Sequence, residues 1–113
     1  MKAKQIVFKT RNGVEIVKLS EIIFCVADGS YTIIVTKERS LTVTKNLSEV
    51  ENICCCGHLF RSHKSYLINK KFIIKINKNK VQLRNYPDYV LISRIKLKEI
   101  SNVLIIRNVK AVS

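Results

Sequence analysis

Residues 22–36 read IIFCVADGSYTIIVT, and this stretch decides the fold. Ile22–Ala27 is a continuous apolar run of strand length. Asp28-Gly29-Ser30 ends it, and Tyr31–Thr36 returns as its partner, which makes a hairpin. The same pattern recurs on both sides. Upstream, Gln5–Thr10 and Val14–Leu19 flank Arg11-Asn12-Gly13, where Asn-Gly supplies the positive φ angles of a tight turn. Downstream, Lys37–Ser40 is a polar turn before the short, β-branched Leu41–Thr44. Farther on, Ile73–Asn77 and Val81–Arg84 flank Lys78-Asn79-Lys80 as a third hairpin, Pro87-Asp88 makes a turn, and Tyr89–Ile92 is another strand.

Two stretches change period. Within Asn46–Cys55, Leu47, Val50 and Cys54 form a helical stripe with Ile53 beside them. Asn46 is a good N-cap with Glu49 in capping-box position, and Gly57 is placed to stop the helix. In Ser93–Ile105, the residues Ile95, Leu97, Ile100, Val103 and Leu104 mark one side of a second helix, with Ser93 as its cap. Leu59–Asn69 (LFRSHKSYLIN) fits no single period, as expected of a segment that is part core and part contact surface. The sum is a mainly β architecture of short antiparallel strands with one or two short helices, read as one domain over residues 1–113.

The 113 residues are 47% hydrophobic, ordinary for a globular chain, but the formal net charge is +13. Residues 1–60 carry eight Lys/Arg against six Asp/Glu, whereas residues 61–113 carry thirteen against two. Folding gains nothing from such self-repulsion, so the excess points to a polyanionic partner that meets the second half. A lysine-rich solvated surface and an anionic membrane surface are the competing readings. No apolar run reaches the roughly 18 residues of a membrane span.

Cys54, Cys55 and Cys56 are consecutive, and Cys25 stands alone. Adjacent cysteines splay in different directions, unlike the spaced pairs of a zinc site, so no metal is expected even with His58 nearby. No secretory signal precedes them, which favours reduced thiols in a cytoplasm. Neither a catalytic group nor a cofactor is indicated. The eight acids form no pair suited to hydrolysis, three glycines leave no phosphate-cradling loop, and His63 between Ser62 and Ser65 has no identifiable orienting group.

Nucleic-acid chemistry fits three clusters better. Arg61-Ser62-His63-Lys64-Ser65-Tyr66 concentrates donors for phosphate or for base edges. Ser93-Arg94-Ile95-Lys96 sets cations at a helix start, where they oppose the macrodipole unless an anion is bound. Asp28-Gly29-Ser30-Tyr31 presents an aromatic at a hairpin tip. Fold-stabilising hydrogen bonds, plain exposure and a plain turn are the respective alternatives.

From about Ile6 to Leu104 the chain resembles the LytTR DNA-binding domain of bacterial response regulators. The similarity rests on IIFCVADGSYTIIVT, LTVTKNLSEVE, HLFRSHKSYLINKKFIIKI and VLISRIKLKEI, with F-R-S-H-K-S-Y-L-I-N the most specific part. The resemblance implies an elongated fold of about ten strands that inserts loops into successive major grooves of double-stranded DNA. It implies contacts at Tyr31, at Lys64 with its neighbours, and around Ile95. The expected contact set is Ser30, Tyr31, Lys45, Arg61, His63, Lys64, Ser65, Asn69, Arg94, Ile95 and Lys96, some of which shape the loop rather than touch DNA. Ile95 departs from the basic residue common in the family and could meet only a thymine methyl. Met1 lies four residues before the first strand, which reads as a stand-alone domain without a fused receiver. The expected function is a cytoplasmic, sequence-specific, non-enzymatic transcriptional regulator on paired repeats, with a homodimer on DNA as the expected assembly. The alternative is an interaction module of the same fold that has lost DNA binding and modulates another regulator.

Overall fold

The computed structural model describes residues 5–54 and 59–107, of which 102–107 are described through their backbone only. Among the described residues, ten strands form two antiparallel sheets. β1 (Gln5–Thr10), β2 (Gly13–Lys18), β3 (Ile22–Asp28), β4 (Tyr31–Thr36), β5 (Ser40–Val43), β6 (Leu59–His63) and β7 (Tyr66–Asn69) make a seven-stranded sheet in the order β2-β1-β5-β4-β3-β7-β6. β8 (Ile73–Asn77), β9 (Lys80–Leu83) and β10 (Tyr89–Leu91) make a three-stranded sheet in the order β10-β9-β8. The helices are α1 (Leu47–Ile53) and α2 (Arg94–Arg107). The extents of 47 × 34 × 25 Å agree with an elongated molecule.

β3 organises the interior because it is buried on both faces. A bulge between Ile22 and Phe24 breaks its alternation. Ile22 and Cys25 therefore enter one core, while Ile23 and Phe24 enter the other. A strand wetted on one side would show alternating polar residues, so the unbroken apolar run is what a two-sided strand requires. The first core lies between the seven-stranded sheet and α1, with Phe8, Ile34, Leu67, Leu47 and Val50. The second joins β3 and β7 to the smaller sheet and α2, through Ile68, Leu83, Val90, Ile92 and Ile100. Burial pushes the Cys25 thiol well above its usual range, and nearby Cys54 adds to this, so the thiolate is suppressed.

The α1 capping box forms as the sequence predicts: Asn46 Oδ1 accepts from Glu49 N–H at 2.9 Å, and Asn46 N–H donates to Glu49 Oε1 at 2.9 Å. Leu47, Val50 and Cys54 are buried as the stripe requires. The expected helix stop at Gly57, and Cys55, Cys56 and His58, lie outside the described residues.

Two local expectations change. Asn12-Gly13 are not the central pair of the first turn. Thr10 pairs with Gly13, so Arg11 and Asn12 form the loop, and Gly13 takes φ +136° as the first residue of the return strand. In α2, Leu97 and Ile100 turn inward, but Ile95 is 72% exposed. It lies about 200° around the helix from Leu97, at 100° per residue, and so cannot share the buried stripe.

Candidate nucleic-acid interface

Strand direction decides which loops meet. Thr10 pairs with Val43, Val43 with Thr32, Asp28 with Tyr31, Val26 with Tyr66, and Tyr66 with His63. The turns at 29–30 and 64–65, and the chain after β5, therefore emerge at one end of the large sheet. Hydrogen bonds tie these segments into a continuous rim. Ala27 N–H donates to Ser65 O at 2.9 Å, and Thr32 Oγ1 donates to Lys45 O at 2.8 Å. The start of α2 joins the rim through Ser93 N–H to Ser62 O at 2.8 Å and Ser62 Oγ to Leu91 O at 2.8 Å. All three sequence clusters thus lie together, although up to 68 positions separate Asp28 from Lys96.

The β6–β7 turn owes its shape to a bulge between Arg61 and His63. The bulge sends Ser62 inward, where it is fully buried, and leaves Lys64 exposed at the tip. This irregularity is why Leu59–Asn69 shows no single period. Arg61 then locks the turn from beneath. Its Nε donates to His63 O at 3.1 Å, Nη2 to Lys64 O at 2.8 Å, and Nη1 to Glu51 Oε1 on α1 at 2.8 Å. His63 Nδ1 accepts from Ser65 N–H at 3.1 Å, which puts the neutral ring's proton on Nε2 as a donor.

Several of the expected contact residues are engaged within the fold. Asn69 is fully buried; its Nδ2 donates to Ile22 O at 2.8 Å and its Oδ1 accepts from Lys71 N–H at 3.0 Å, so no face of it can reach a ligand. The Arg61 guanidinium gives three of its five N–H groups to acceptors within the fold. Ser65 is half-buried, with both backbone groups committed. Lys96 is half-buried and turns back along α2, with Nζ 3.5 Å from Glu99 and 5.8 Å from the Phe60 ring centroid.

The presented groups are Ser30, Tyr31, Lys45, Lys64, Arg94 and Ile95, all exposed. Ser93 caps α2 as expected, its Oγ accepting from Lys96 N–H at 3.2 Å. Beside it runs an open groove lined by His63, Ser93 and Arg94, and also by Lys78 and Asn79 of the β8–β9 turn. The sequence marks that turn as a hairpin but gives no sign that it reaches His63, because the bond from Ile92 N–H to Asn79 O that draws it in is tertiary. Among the described residues no group of His, Cys, Asp and Glu could hold a metal ion. No helix of the described residues is long and apolar enough to cross a membrane.

A rim of exposed cations, hydroxyls and one imidazole donor offers what an extended polyanion takes up. Comparison with known proteins agrees. The family model of the LytTr DNA-binding domain matches residues 12–105. A solved LytTr DNA-binding domain from Bacillus cereus shares the fold, with a TM-score of 0.73 and 21% sequence identity over 92% of this chain and 98% of that one. No curated protein matches the chain. With the mainly β fold and the family match in agreement, the chain belongs to the LytTR family of DNA-binding domains.

Proposed function

We propose that residues 1–113 act as one DNA-binding domain of a sequence-specific transcriptional regulator, which sets its rim loops into the major groove of double-stranded DNA. The observation that carries the reading is the joining of the turns at 28–31 and 63–66 to the α2 start by backbone hydrogen bonds, with Lys64 and Arg94 exposed beside one another's loops. Lys45 supplies phosphate contact at the flank. Lys64, Arg94 and the Nε2–H of His63 are the base-edge donors, with Ser30 and Tyr31 in the neighbouring loop. Ile95 meets a thymine methyl. Arg61, Ser65 and Asn69 hold the central loop in shape. The protein works in the cytoplasm, and two copies occupy paired repeats, as a homodimer on DNA.

Selection of bound duplexes from a random pool tests this. The expected result is an enriched motif in two half-sites about one helical turn apart. A pool that never enriches while binding persists contradicts sequence specificity. A pool that is never retained favours the second reading, an interaction module that modulates another regulator. The 72% exposure of Ile95, where the third loop would otherwise carry a base-reading donor, supports that alternative.

A further inference from the structure

We propose that the β8–β9 turn is a further DNA-phosphate clamp, with Lys78 as its charge. This rests on the DNA-binding reading above. Asn77 pairs with Lys80, so Lys78 and Asn79 form a two-residue loop. Lys78 holds φ +58°, close to the +62° of Gly29 at the corresponding first position of the β3–β4 turn. Positive φ at that position favours glycine, and a side chain there is strained. Lysine is therefore a poor choice for folding. Nothing in the packing offsets it: Lys78 is exposed, and among the described residues no carboxylate pairs with it. Strain kept at one exposed residue points to a role outside the fold.

The surroundings specify the role. Asn79 O accepts from Ile92 N–H at 3.0 Å, and the next residue, Ser93, is bonded to Ser62. The turn is thus fastened to the rim. Lys78 lines the groove with His63, Ser93 and Arg94, and no acidic residue lines it. Lys80 is drawn away over the Tyr89 ring, 5.5 Å from its centroid, so the charge the turn offers to the groove is that of Lys78. A strand passing Arg94 would set a phosphate oxygen against this groove.

The test is Lys78→Gly, with a random-sequence DNA duplex as probe. Glycine relieves the positive φ, so thermal stability should hold or rise. Affinity should fall about five-fold at about 0.15 M salt, and the log–log salt slope should become shallower by about 0.9. Lys71→Ala, in the 3₁₀ turn Lys70–Phe72 at the far end of β7, should change neither. If Lys78→Gly binds like wild type while Lys64→Ala weakens binding, this inference falls and the DNA reading stands. Loss of affinity with an unchanged slope overturns the phosphate assignment. If the wild type binds no duplex, the DNA reading fails and this one with it.

Discussion

Asn69 and Lys64 lie five positions apart in one motif, the first buried and bonded inside the fold, the second exposed at a turn tip. Asn69→Ala leaves Ile22 O and Lys71 N–H without their side-chain partner, one of them in the buried interior. Its expected cost is about 1–3 kcal/mol of stability, read by urea denaturation, with the folded protein still binding DNA. Lys64→Ala should leave stability within about 0.5 kcal/mol. In a mobility-shift series it should cost roughly 1–3 kcal/mol of binding and relax preference at one base position; equal loss on all sequences would make Lys64 a phosphate contact. The sequence displays the donors of Arg61-Ser62-His63-Lys64-Ser65 side by side with the same chemistry. What separates them is burial, and burial is set by a bulge that no residue type announces.

Among the elements, features closed within a few residues were legible, except the first turn, where Gly13 opens the return strand instead of sitting in the loop. The α1 capping box depends on Asn46 and Glu49 alone, and the β3–β4 turn depends on Gly29. Features that depend on a distant partner were not. The β3 bulge exists because two cores must be filled from one strand, and the direction of Ile95 follows from the phase that Ile100 sets in the second core. The β6–β7 hairpin offers the sharpest prediction here. Arg61→Lys keeps the charge but loses the planar fork that reaches His63 O, Lys64 O and Glu51 together. DNA affinity should fall although net charge is unchanged, with a stability loss of about 1 kcal/mol. Unchanged affinity would mean that the turn needs no such brace.

For the molecule as a whole, the charge asymmetry of the chain is a poor map of the surface. The second half holds thirteen of the 21 cations, yet the rim draws Lys45 and Tyr31 from the first half. Folding also gathers Lys70, Lys71 and Arg84 at the end of β7 away from Lys64: Arg84 Nη2 donates to Lys71 O at 3.0 Å, beside the buried Asn69. In the proposed function, the excess charge attracts a polyanion at long range and the rim is where contact is made. Affinity should therefore fall steeply with salt, by about 0.9 log units per log unit of salt for each phosphate neutralised, and a flat response would remove the electrostatic part of the account. Whether DNA lies on the rim is read most directly from an amide chemical-shift map of the labelled protein titrated with its selected duplex. Perturbations should concentrate at 28–32, 45, 62–66 and 92–96. Shifts confined to the opposite turns at 19–21, 37–39 and 70–72, or no shifts at all, would contradict it.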